Sequence, residues 1–158
     1  MRSTPLLITF LLVLPVGACG GEDEPDEPSA LPADYKATYT EVRDCRLSID
    51  HDLNYIRVLA APDALAVYNT RTGTFPVGTL IVKEQFGEDD DSCAGEPTKY
   101  TLMQKLADSE QPDDLGWKWQ ELDANQRVNP EANIERCTSC HANCGVAPEG
   151  FDGTCAQP

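Results

Sequence analysis

The stretch "ERCTSCHANCG", residues 135–145, places three cysteines and one histidine within the eight positions from Cys137 to Cys144. A chain that carries it must commit those side chains to metal, cofactor or disulfide chemistry, which constrains the fold more than any hydrophobic pattern. Three chemistries compete. A structural zinc needs four ligands in a closed tetrahedron. Cys137, Cys140, His141 and Cys144 would supply them, but the adjacent Cys140 and His141 are awkward ligands for one ion, and the only other histidine is His51. A redox dithiol needs a strand-to-helix setting that lowers a thiol pKa, and no such pattern precedes Cys137. The third chemistry is covalent haem. Cys137-Thr138-Ser139-Cys140-His141 is C-x-x-C-H, whose two thiols reach the two vinyl groups while the adjacent imidazole falls under the iron. We adopt that reading: one haem c, with Cys137 and Cys140 as attachment points and His141 as axial iron ligand.

The N-terminus favours this choice, because c-type haem is attached on the outer side of the membrane. "MRSTPLLITFLLVLPVGACGG" has a positive Arg2 and a short apolar run from Leu6 to Val16. At roughly a dozen residues it is too short for a span of about 20 residues and reads as a cleaved export signal over residues 1–18. "VGAC", residues 16–19, resembles a bacterial lipobox, so Cys19 is expected to be the lipidated first residue of the mature protein. Gly20 and Gly21 follow it, with no aspartate to call for inner-membrane retention. The expected location is the cell envelope, at the outer membrane, with the domain in the periplasm and the membrane touched by the lipid anchor alone.

Residues 19–34 are rich in carboxylates and proline and hold no aromatic side chain. Such a segment cannot bury enough apolar surface to offset its ordering entropy, and it is expected to be a disordered acidic tether. The whole chain carries a formal net charge of −15. Nucleic acid and anionic headgroups demand clusters of Lys and Arg, so both are excluded as partners.

Residues 35–158 have the size of one domain. "DYKATYTEVRDCRLS" opens it as a short helix or extended lead-in, and "NYIRVLA" reads as a strand. "APDALAVYNTRTG" suggests a short helix with Pro62 near its start and Gly73 at its end. "FPVGTLIVKEQF" contains the best strand, "GEDDDSCAGEPT" is a loop, and "KYTLMQKLA" and "LGWKWQELD" are strands, the last followed by a turn at Asp123–Asn125. The tail from Asn129 shows little regular pattern. The expected fold class is α+β and β-rich: an antiparallel sheet with short helices enclosing one c-type haem.

Setting aside Cys19 and the haem pair leaves Cys45, Cys93, Cys144 and Cys155, for which three pairings exist. Cys144 and Cys155 are close in sequence and are expected to close a small loop, leaving Cys45 for Cys93. A sixth iron ligand is hard to find. Met103 reads as a packing residue and His51 as a solvated turn residue, so an open iron is expected, the kind that binds small molecules. A low-spin electron-transfer cytochrome would need one of the two.

"YTEVRDC", "NYIRVLAAPDALAVYNTRTGTFPVGTLIVKEQF", "GWKWQELDANQRV" and "CTSCH", in that order, resemble the cytochrome P-460 family, which includes cytochrome c′-beta. The resemblance covers roughly residues 39–141. It implies a β-rich, commonly homodimeric periplasmic mono-haem protein with five-coordinate iron. It also implies a small nitrogen-oxide or hydroxylamine-type ligand and a redox partner protein that accepts electrons. In one branch hydroxylamine is oxidised and a lysine is linked to the haem edge; that lysine falls on Lys83. In the other branch the role is nitric oxide binding. From the residues alone Lys83 is an ordinary strand lysine, because both faces of its strand are mixed: Thr79, Ile81, Lys83 and Gln85 against Leu80, Val82, Glu84 and Phe86. The resemblance further implies a distal carboxylate as proton relay, and none can be placed in "KYTLMQKLADSE", where Lys105 or Leu106 stands instead. Trp117 and Trp119 read either as pocket wall or as plain core.

Overall fold

The apolar runs become five strands that pair in the order in which they are made. The structure, a computed structural model, describes residues 27–107, 115–145 and 150–156. Strands β1 (Thr40–Ser48), β2 (Asn54–Ala60), β3 (Leu80–Phe86), β4 (Lys99–Lys105) and β5 (Trp117–Asp123) form one antiparallel sheet in the order 1-2-3-4-5. Three short helices attend it: α1 (Tyr35–Thr38), α2 (Leu65–Thr70) and α3 (Ile134–His141). The chain is therefore an α+β, β-rich protein built on an antiparallel sheet. Among the described residues no helix is long and apolar enough to cross a membrane. The signal segment, Cys19 and the start of the tether lie outside the described residues, as do Asp108 and Glu110.

Alternation along β3 sorts the interior into two sides. Leu80 and Val82 pack with Leu31, Tyr35, Tyr100, Leu102 and Leu122 on one face. Ile81 packs with Val58, Tyr68, Phe75, Met103 and Trp117 on the other. Each such buried side chain contributes about 1.5–3 kcal/mol of transfer free energy. The first face is closed. Its cover includes Leu31, which is 8 % exposed, and Ala30, whose N–H donates to Gln120 Oε1 at 2.9 Å. Gln120 Nε2 in turn donates to Glu27 Oε1 and the Pro28 carbonyl. The tether expected over 19–34 is thus docked on the sheet from Glu27 onward, because a buried glutamine supplies the partners that its polar composition needs.

Edge strand β1 departs from regular register between Glu41 and Arg43 and again between Arg43 and Arg46. Strict alternation would send Arg43 and Arg46 to opposite faces. The bulge turns both toward the same side. Two bridges fasten the periphery: Cys45–Cys93 ties β1 to the loop after β3, and Cys144–Cys155 closes the C-terminal segment. Loop closure alone makes them worth about 4 and about 3 kcal/mol respectively.

Two local expectations change. Helix α2 begins after Pro62 and Asp63, and it ends at Arg71, in the left-handed region with φ 52°, whose N–H reaches the Val67 carbonyl at 2.8 Å; Gly73 lies beyond the stop. The tail, read as irregular, contains α3. Asn133 caps it, its side chain accepting from the Arg136 N–H at 3.1 Å, and Glu135 sits at the positive end. No hydrophobic periodicity announced this helix because the only residue it buries is His141.

Candidate cofactor site

The second face of the sheet is open and carries a cavity of about 420 Å³, within the range of roughly 300–1,000 Å³ usual for ligand pockets. Strand register builds its wall in rows. Val58 pairs with Lys83, Lys83 with Thr101 and Thr101 with Glu121, so all four stand side by side across β2 to β5. The next row holds Ile81, Met103 and Trp119. Lys83 therefore faces the cavity, which alternation alone left undecided.

Helix α3 closes the opposite side. Positions i, i+3 and i+4 of a helix share a face, so C-x-x-C-H in helical form sets Cys137, Cys140 and His141 together, and all three line the cavity. The ion pair from Arg136 to Asp52, at 2.8 Å, ties α3 to the 3-10 turn Ile49–His51. Cys137 and Cys140 are free thiols. Burial pushes the Cys137 thiol above its ordinary range, against the opposing pull of Lys83, the reverse of what a redox dithiol requires. The zinc set fails as well, because Cys144 is already bonded to Cys155.

His141 is buried and stacks edge-on against Trp119, with ring centroids 4.8 Å apart. Its Nδ1 lies 2.5 Å from the Gly153 carbonyl. A carbonyl can only accept, so Nδ1 carries the proton and Nε2 holds the lone pair that a metal would need. Burial, reinforced by the positive Lys83, brings its pKa down to about 4. Trp117, by contrast, is wholly buried core beneath the site, with its Nε1 donating to the Asp152 carbonyl at 2.8 Å. The two tryptophans divide the roles that the sequence offered them jointly.

His51 is the correction of most consequence. It was expected to be a solvated turn residue, yet it stands in the cavity with Nε2 2.7 Å from Lys83 Nζ and Nδ1 2.6 Å from Ser48 Oγ. Burial first, and the Lys83 charge second, press its pKa to about 3, so it is neutral. Burial also brings Lys83 down to about 8. At pH 7 Lys83 is still mostly ammonium and must donate. Nε2 of His51 then accepts, and its Nδ1–H donates to Ser48. Above pH 8 the amine regains its lone pair.

A carboxylate is also present that sequence reading missed. Glu121 lines the cavity, its Oε1 accepting from Asn129 Nδ2 at 2.9 Å and its Oε2 lying 3.2 Å from Lys99 Nζ. It was sought on β4 and stands on β5. Lys105, at one of the searched positions, points away into an ion pair with Asp152 at 2.9 Å. Met103 lines the cavity as well as packing in the core.

The donor set fits a haem. Two free thiols and a lone-pair imidazole share one helix face on a cavity of ligand size. Arg43 and Arg46 add positive charge to the wall, and among the described residues neither is in an ion pair with a carboxylate, which suits the anionic propionates. Comparison with known proteins adds one match: the family model described as Cytochrome P460 covers residues 32–146. No protein of curated function matches the chain.

Proposed function

The chain belongs to the cytochrome P460 family, which suggests a c-type haem protein, and on that premise we propose that it oxidises hydroxylamine or a related small nitrogen species at an open iron. The observation that carries this reading is the convergence of Cys137, Cys140, His141 and Lys83 on one cavity. Cys137 and Cys140 would hold a single haem by thioether bonds, and His141 would give its iron a nitrogen ligand. When bound, the haem would supply a redox-active iron through which electrons could leave. Lys83 is the amine for a link to the haem edge. His51 holds that amine in place through Nε2 and is itself held by Ser48. Oxidation of hydroxylamine releases protons with its electrons. Glu121 and neutral His51 are groups on the cavity wall able to take them, as are the carboxylates of Asp50 and Asp52.

Export and anchoring complete the proposal. Residues 1–18 act as signal, Cys19 carries lipid, and the domain works in the periplasm at the outer membrane, passing electrons to a separate redox protein. A homodimer is part of the same proposal.

A second reading, nitric oxide binding without turnover, is favoured by one observation. Three of the candidate proton acceptors are already engaged, Glu121 by Lys99 and Asn129, His51 by Lys83 and Asp52 by Arg136. The test is the ferrous absorption spectrum of the soluble form beginning after Cys19, beside that of Lys83→Arg. A strongly red-shifted Soret band that the substitution abolishes supports the lysine link and hydroxylamine oxidation. An ordinary c-type spectrum in both proteins supports the nitric oxide reading.

A further inference from the structure

The carbonyl that holds His141 belongs to residue 153, beyond the last residue matched by the family model, 146. The segment 150–156 that supplies it is fixed from several directions. Cys155 is bonded to Cys144, three residues after His141. Gly150 packs so tightly against this bridge that a Cβ there would meet the Cys144 carbonyl oxygen at 2.6 Å and Cys155 Cα at 2.8 Å. Asp152 and Cys155 both hold positive φ, 49° and 51°, a conformation that costs a non-glycine residue free energy unless its surroundings enforce it. Here the surroundings do. The Asp152 carboxylate receives Lys105 Nζ at 2.9 Å, its carbonyl receives Trp117 Nε1 at 2.8 Å, and the same Lys105 ammonium lies 4.9 Å from the centroid of the Trp117 ring. Lys105 is 7 % exposed. A lysine so deeply placed is retained only where a specific partner holds it.

We propose that the loop closed by Cys144–Cys155, braced by Lys105 and Asp152, is a proximal clamp that sets the donor strength of His141 through the Gly153 carbonyl. This rests on the reading of His141 as the iron ligand. An imidazole whose Nδ1–H is held by a well-placed acceptor carries more electron density on Nε2, binds iron more firmly and favours the ferric state. Lys105 and Asp152 are positioning residues, acting through the Gly153 carbonyl without touching the cofactor. The disulfide fixes how far that carbonyl can retreat.

The test uses the haem-loaded protein with three variants: Lys105→Met, which keeps the bridge and much of the side-chain volume; Cys144→Ser with Cys155→Ser; and Cys45→Ser with Cys93→Ser as a control that costs stability on the far side of β1. For each, the iron–histidine stretching frequency of the ferrous form and the midpoint potential are measured. The clamp requires both test variants to lower the frequency and raise the potential, with the control leaving both at wild-type values. Test variants that retain wild-type frequency and potential overturn it, as does a control that shifts them equally. If the double cysteine variant yields no loaded protein, Lys105→Met and phosphine reduction of the loaded wild type carry the same expectation. His141→Ala separates the underlying reading. If it leaves the iron–histidine band in place, another residue is the ligand and the reading itself fails, whereas loss of the band with unshifted clamp variants defeats the clamp alone.

Discussion

Lys83 and Glu84 are neighbours on β3, point to opposite faces of one sheet, and are treated in opposite ways. Glu84 is completely buried on the closed face. Its Oε1 accepts from the Tyr35 hydroxyl at 2.7 Å, and its Oε2 accepts from Arg57 Nε at 2.8 Å and Nη2 at 2.5 Å. Burial and this carboxylate push the Tyr35 hydroxyl far above the ordinary phenol range, so it stays a donor. Among the described residues Lys83 is in no ion pair with a carboxylate, and Asp50 only partly offsets its burial. Its partner is a neutral imidazole, and burial lowers its pKa to about 8. The closed face thus pairs its charge and fixes it. The open face leaves a charge poorly compensated, which keeps the amine near the point of losing its proton. The difference separates a structural ionisable group from one poised for chemistry.

Three substitutions break or sharpen this contrast. Arg57→Ala has the largest expected effect, because it strands a buried carboxylate with only Tyr35 to hold it. Stability should fall by about 3–4 kcal/mol, read from urea unfolding. Lys83→Met should act in the opposite direction in the haem-free chain, raising stability at pH 7 by roughly 2 kcal/mol. The sign follows from the pKa values. Lys83 titrates near 8 when folded and near 10.4 when unfolded, so the unfolded chain binds more protons between those limits and wild-type stability rises with pH across them. The gap between variant and wild type should therefore be widest below pH 8 and close by about pH 10.5. A gap that stays constant over that range would show that Lys83 is not destabilised by burial.

His51→Gln is the mildest, costing about 1 kcal/mol at pH 7 for the lost hold on Lys83. His51 titrates near 3 when folded and near 6.5 when unfolded, so wild type loses stability as pH falls through that interval. Glutamine does not titrate. The variant should start lower and decline less on acidification, and parallel curves from pH 6.5 to 3 would place His51 in solvent.

Much of the platform was legible from residue types, and the reasons mark where legibility stops. β2, β3 and β4 announce themselves through β-branched and aromatic runs. The C-x-x-C-H spacing grouped Cys137, Cys140 and His141 correctly on one face of the cavity because they lie within one helical turn or so of each other. His51 and Glu121 were misread or missed because their significance depends on register. His51 meets Lys83 across 32 residues, and Glu121 joins the row through Thr101. Helix α3 was invisible because a helix that buries one histidine has no apolar stripe to read. The docking of residues 27–34 was hidden for a related reason: composition describes what a segment can bury but not which glutamine waits for it.

The order 1-2-3-4-5 means that every strand pairs with its neighbour in sequence. Such a meander needs no long-range search, and each hairpin can form as soon as its second strand is available. A chain delivered N-terminus first completes the five-stranded platform while the residues after Asp123 are still arriving. Cys137, Cys140 and His141 lie in that late portion, on a helix tied to the sheet by few contacts, so this side of the cavity closes last, against a wall already built.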